Sequence, residues 1–176
     1  MAYLIDSNGY RLIDSEGYAL VVPDGLVLIT DRSAVDLERA RELAQKAHFM
    51  SKEEFADWLS GMKGAYNASD LNRVEKAVDY VSDRLKTVGW YIAPIVKLDW
   101  QISDYPSASE MQRYLDNIRL VRSTLPVGIP QVPNDMNKLT YTEANTIEQI
   151  LELVDAAITN IMENIYYCGE IICGEV

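Results

Sequence analysis

Apolar and polar positions change their period once along this chain. In the first thirty residues Leu4-Ile5-Asp6-Ser7-Asn8-Gly9-Tyr10 recurs as Leu12-Ile13-Asp14-Ser15-Glu16-Gly17-Tyr18. Asp and Ser bond back to nearby backbone and Gly accepts a positive φ, so each Asp-Ser-x-Gly reads as a turn. The flanking Leu, Ile, Tyr and Val favour strands, and Pro23-Asp24-Gly25 adds a third turn. The pattern predicts four short strands, 3–6, 10–13, 18–22 and 26–30, in an antiparallel meander. So small a sheet has to lean on the helices or on another subunit.

After Asp31 the pattern is helical. Ser33 is placed to cap a helix over 34–48 with a weak apolar face of Val35, Leu37, Ala40, Leu43, Ala44 and Ala47. Ser51-x-x-Glu54 is a capping box for a short helix expected to bury Phe55, Trp58 and Leu59 and to break at Gly61 and Gly64. From Ser69 the positions Leu71, Val74, Val78, Val81 and Leu85 mark a stronger helix, stopped by Gly89. Residues 90–106 have no helical period and contain two prolines, so they read as an ordered connector or extended arm. Ser107-x-x-Glu110 opens the next helix, with Met111, Tyr114, Ile118, Val121 and Leu125 on one face. Pro126, Gly128, Pro130 and Pro133 mark a loop. Thr140-x-x-Glu143, behind Leu139, opens the last helix, whose stripe is Ile147, Leu151, Val154, Ile158, Ile161 and Ile165. The tail carries two copies of Cys-Gly-Glu.

Such stripes suit either an intramolecular bundle or a coiled coil between subunits. Their short runs favour the bundle, although the last stripe, with Tyr10 and Tyr18 of the repeats, remains a candidate interface. The expected fold class is α+β and mainly α: a helical domain over 32–176 with a small N-terminal β-meander over 1–31.

Composition narrows the function classes. The 176 residues are 48% apolar and 24% charged, as in globular proteins. The longest apolar run, Trp90 to Val96, is interrupted by Pro94, so no bilayer span is expected. The start MAYLIDSNGYR has no basic region before its apolar residues, so no signal peptide is expected. Net charge is −11, and it is uneven. Residues 1–31 carry five acids and Arg11, residues 32–138 balance, and residues 139–176 carry seven acids and no Lys or Arg. Phosphate backbones and anionic membranes would repel such a chain. The acidity serves solubility, or it docks onto a basic partner or holds cations.

Catalytic chemistry finds little support. His48 is the only histidine, so a triad or histidine metal site would have to form around it. Cys168 and Cys173 have no second pair and read as ordinary thiols. Neither a P-loop nor a dinucleotide fingerprint occurs, and no carboxylate stands isolated in an apolar run as a tuned acid would. Asn67-Ala68-Ser69 fits a glycosylation sequon but reads better as a helix start. No catalytic, cofactor-binding or metal-binding residue is expected. Eleven Tyr and three Trp against two Phe favour half-buried contact positions. Trp90, Tyr91, Trp100 and Tyr105 crowd the connector, where Trp90 and Trp100 could stack a ligand ring or plug the core beneath an irregular loop.

Several stretches, in order, resemble one group of proteins. They are Tyr66-Asn67-Ala68-Ser69-Asp70-Leu71-Asn72-Arg73-Val74-Glu75; Trp100 to Ile118, with Tyr105-Pro106-Ser107 and Met111-Gln112-Arg113-Tyr114-Leu115; and Pro133-Asn134-Asp135-Met136-Asn137-Lys138-Leu139-Thr140-Tyr141 with Glu143-Ala144-Asn145 and Ile147-Glu148. With the Gly-Glu endings at Gly169-Glu170 and Gly174-Glu175, they resemble small structural proteins of prophages in gut Firmicutes. The Asp-Ser-x-Gly-Tyr repeats are similar to short β-modules of tail-region proteins. The resemblance covers roughly residues 60–176 and departs from the group where Cys168 and Cys173 replace serines. It implies a non-enzymatic tail, baseplate or fibre-region component, located in the virion or, before assembly, in the bacterial cytoplasm. Its expected partners are other virion subunits or further copies of itself, without nucleic acid or membrane. The alternative reading is a carbohydrate- or receptor-binding module built on Trp90, Trp100 and nearby tyrosines.

Overall fold

Reciprocal caps, Ser33 with Asp36 on the first among them, start all five helices found among the described residues. The computed structural model describes residues 2–3, 21–22, 26–46, 49–125 and 128–164. The helices are α1 (Ala34–Lys46), α2 (Lys52–Gly61), α3 (Ala68–Thr87), α4 (Ala108–Arg122) and α5 (Tyr141–Glu163). Ser51 with Glu54, Asn67 with Asp70, Ser107 with Glu110 and Thr140 with Glu143 each close a capping box, satisfying backbone N–H groups that the first turn leaves without helical partners. The Asn67 sequon is thus the cap of α3. Gly89, at φ 85, follows α3 in the left-handed conformation that the sequence predicts for it.

The core is the meeting of three stripes. Leu71, Val74, Val78, Val81 and Leu85 of α3 pack with Tyr114, Leu115, Ile118 and Val121 of α4 and with Ile147, Leu151, Val154 and Ile158 of α5. All three helices run in the same direction. Asp70 and Arg73, early in α3, meet Glu148, early in α5. Arg84, late in α3, meets Asp155 and Thr159, late in α5. The segment after α3 returns to the level of Asn72 before α4 begins, and 128–139 returns before α5. Parallel neighbours require long returns, and here these are extended straps laid on the bundle.

The expected β-meander is not seen among the described residues. Strand pairing among the described residues is confined to two residues a side, β1 (Ala2–Tyr3) antiparallel to β2 (Val21–Val22), with Ala2 opposite Val22 and Tyr3 opposite Val21. Among the described residues the fold is helical, with no β layer beyond that pair. Residues 26–30, expected as a fourth strand, form a strap instead: Leu26 and Leu28 pack on the helical core, and the Ile29 N–H donates to the Glu148 carboxylate at 2.6 Å. An extended chain needs partners for its backbone, and helix side chains supply them. The boundary expected after residue 31 falls between Ile29 and Arg32, whose N–H groups are both bonded to side chains of α5. Expected strand 10–13 and much of 3–6 and 18–22 lie outside the described residues.

The α1–α2 hairpin sits to one side. Ala40 and Leu43 are buried, whereas Val35 and Phe55, expected inside, are exposed because the hairpin meets the bundle along a narrow edge. Its approach depends on Gly64, where a Cβ would lie 1.9 Å from the Asp36 carbonyl oxygen.

Candidate interaction surface and its clamps

Two charged clusters are buried in the bundle, and they share one plan. Asn72 and Asn145 each stand five residues after the cap of their helix, α3 and α5, and Glu75 and Glu148 each stand eight after it. These spacings place Asn and Glu three residues apart on one helix face. On α3, Asn72 Oδ1 accepts the Trp100 N–H at 2.9 Å and its Nδ2 donates to the Trp100 carbonyl at 2.8 Å. On α5, Asn145 makes the same pair with Arg32, at 3.0 and 2.9 Å. Each amide therefore pairs with the strap as a β-neighbour would.

The glutamates complete the grip. Glu75 Oε2 accepts the Lys97 N–H at 2.7 Å, and Oε1 accepts Trp100 Nε1 at 3.3 Å. Glu148 Oε2 accepts the Ile29 N–H at 2.6 Å, and Oε1 accepts Arg32 Nη2 at 2.6 Å. In both clamps the carboxylate takes the backbone N–H three residues before the clamped residue, and that residue's own side chain. An arginine six residues after the cap of the neighbouring helix then closes each clamp as a bidentate partner. Arg113 of α4 reaches Glu75 at 2.6 and 2.9 Å, and Arg73 of α3 reaches Glu148 at 2.7 and 3.0 Å. Two planar guanidinium–carboxylate pairs thereby satisfy carboxylates that would otherwise be costly to bury.

The α5 clamp is deeper. Asp70 joins it, accepting from Arg32 at 2.9 Å and Arg73 at 2.5 Å, so two arginines face two acids. Arg32 Nη1 also donates to the Ile29 carbonyl at 2.6 Å, and the guanidinium lies 5.4 Å from the centre of the Tyr66 ring. Tyr66 and Tyr114 share a hydroxyl hydrogen bond of 2.5 Å. Burial pushes both phenols above the ordinary tyrosine range. Burial opposes the charge on Arg73, but its bonds to Glu148 and Asp70 outweigh this and raise its pKa. The bond to Glu75 raises that of Arg113.

The third strap is held differently. At the corresponding positions α4 carries Gln112, exposed, and Leu115, buried. Its return segment contains Pro130 and Pro133, which have no N–H to give. Among the described residues helix side chains grip only carbonyls there: Arg119 donates to Pro133 and Arg122 to Pro130, at 2.9 and 2.6 Å.

Between α3 and α4 the second strap is fixed from below and open above. Besides the clamp, Asn117 of α4 accepts from the Ile95 N–H at 3.0 Å and donates to its carbonyl at 2.8 Å. Ile92 and Val96 pack on the core, while Tyr91 is 81%, Ile95 71%, Ile102 69% and Tyr105 95% exposed. Large apolar side chains fully in water along a fixed segment are a recognised mark of an interaction surface.

The sequence-selected residues distribute as follows. Trp100 is 3% exposed, with Lys97 Nζ 3.8 Å from its ring centre and its Nε1 on Glu75, so it plugs the core and offers no face to a ligand. Trp90 is 43% exposed. The two therefore form no joint platform. Ile147, Leu151, Val154 and Ile158 are at most 1% exposed within the bundle, so their stripe is taken up by α3 and α4 rather than left for another subunit. Ile161 is 38% exposed near the end of that helix. Tyr10, Tyr18, Ile165, His48, Cys168 and Cys173 lie outside the described residues. The sequence reading missed Glu75 and Glu148. Each sits beside a polar neighbour, Lys76 or Gln149, which hid its place in the apolar stripe; superposing the helices on their caps shows both.

Among the described residues no group of His, Cys, Asp and Glu is arranged to hold a metal ion, and no helix is long and apolar enough to cross a membrane. Comparison with protein-family models, curated proteins and solved structures returns no match.

Proposed function

We propose that this chain is a non-enzymatic structural or assembly protein of a phage or prophage, working through protein–protein association. The association reading is carried by one observation: the strap over 91–105 holds Tyr91, Ile95, Ile102 and Tyr105 in water while Asn117, Glu75 and Asn72 fix its backbone. A surface ordered before binding loses little conformational freedom on docking. The buried charges point the same way, since Glu75, Glu148, Asp70 and their arginines are engaged in holding straps. The phage context rests on the ordered motifs between Tyr66 and Glu148. Density-gradient separation of particles from an induced host culture, with immunodetection of the chain, tests it. The chain should band with particles or with their assembly intermediates. Its absence from both would overturn the phage reading.

A further inference from the structure

We propose that the outer face of the strap, residues 91–105, docks a protein segment that is both apolar and basic, and that this partner is not a second copy of the chain. The inference rests on the association reading and adds the chemistry of the partner. Apolar anchors are supplied by Tyr91, Ile95, Leu98, Ile102 and Tyr105, all exposed. Beside Ile95 a groove of about 470 Å³ runs along α4, lined in part by Ala93, Gln112, Asp116 and Leu120.

The rim around these anchors is acidic. Residues 90–112 contain Asp99, Asp104 and Glu110 against Lys97 alone. Lys97 is already engaged over the Trp100 ring and lies 3.5 Å from Asp104 and 3.7 Å from Glu110. Arg113, the next cation, is committed to Glu75. Asp99 is exposed and has no ion-pair partner among the described residues. Two copies meeting here would bring like charges together, on chains of net charge −11 each, which opposes self-association. A partner with Lys or Arg beside its own apolar side chains meets the anchors and neutralises the rim. The backbone groups of Val96 and Leu98 form no hydrogen bond with other described residues, whereas Ile95 and Lys97 are bonded to the bundle. The strap thus has an edge available for main-chain bonds to an extended segment.

Two short fluorescein-labelled peptides serve as probes, one alternating Lys and Leu and the other Glu and Leu, titrated by anisotropy into the full chain at physiological salt. The Lys-Leu peptide should bind at least about ten-fold tighter than the Glu-Leu peptide. A Tyr91→Ser, Ile95→Ser, Ile102→Ser variant keeps every charge and changes only exposed side chains, and should weaken Lys-Leu binding about ten-fold. A Val35→Ser, Phe49→Ser variant, exposed elsewhere, should bind like the unchanged chain. Equal binding of the two peptides, or undiminished Lys-Leu binding by the strap variant, overturns the inference. Sedimentation that finds dimers which the strap variant loses also overturns it, while leaving the association reading intact. That reading fails separately if the strap variant assembles into particles as well as the unchanged chain does.

Discussion

The clamps on α3 and α5 use the same residue types at the same distances from their caps, yet they do different work. On α5 the clamp is sealed: Arg32 and Glu148 side chains are at most 2% exposed, and a second acid, Asp70, balances a second arginine, Arg73. On α3 one carboxylate, Glu75, meets one arginine, Arg113, which keeps contact with water, and the strap above it carries apolar side chains outward. The comparison teaches that one local device, an amide and a carboxylate three residues apart, can either bury an extended segment or display it. Which occurs depends on the strap, not on the helix. The α4 helix makes the complementary case, with prolines in its strap and neither Asn nor Glu at those positions.

The largest effect should come from breaking the sealed clamp. Glu148→Gln leaves Arg32 and Arg73 buried against Asp70 alone and should cost about 3–5 kcal/mol in urea-unfolding free energy. Glu75→Gln should cost less, about 1.5–3 kcal/mol, because Arg113 can turn to water. Equal losses would mean that the two clamps do not differ in depth.

Next come the amides. Asn145→Ala and Asn72→Ala each leave a strap N–H and carbonyl without partners and should cost about 1–3 kcal/mol. Amide exchange should locate the damage at Arg32 in the first variant and at Trp100 in the second. Damage spread over both straps would contradict the independence of the clamps.

The smallest effect at neutral pH belongs to the Tyr66–Tyr114 pair beside the α5 clamp. Both phenols hold their protons more tightly when folded, since burial raises their pKa. Their contribution is therefore full below the unfolded value of about 10 and declines as pH rises toward the folded values, by at most about 1.4 kcal/mol per pH unit for each. A Tyr66→Phe, Tyr114→Phe variant should lose less stability between neutral and strongly alkaline pH than the unchanged chain. An identical alkaline decline would remove these phenols as its cause.

Features set by local chemistry were legible in the sequence. The boxes at Ser51, Ser107 and Thr140, the stop at Gly89 and the three core stripes need only neighbouring residues. At 26–30 the alternation reports extended backbone and not its partner; here the partner is Glu148, more than a hundred residues away. The role of Trp100 was open for the same reason, since nothing near it in the chain announces Glu75 and Asn72. The paired positions of Asn and Glu were visible in principle, but they become a pattern only when α3 and α5 are known to be parallel and gripping the same kind of segment.

The central claim is that helix side chains hold these straps as sheet neighbours would, and residue-resolved amide exchange of the full chain tests it directly. Slow exchange is predicted at Ile29, Arg32, Ile95, Lys97 and Trp100, and fast exchange at Val96 and Leu98 between them. Fast exchange across both straps, with α3, α4 and α5 still protected, would contradict it.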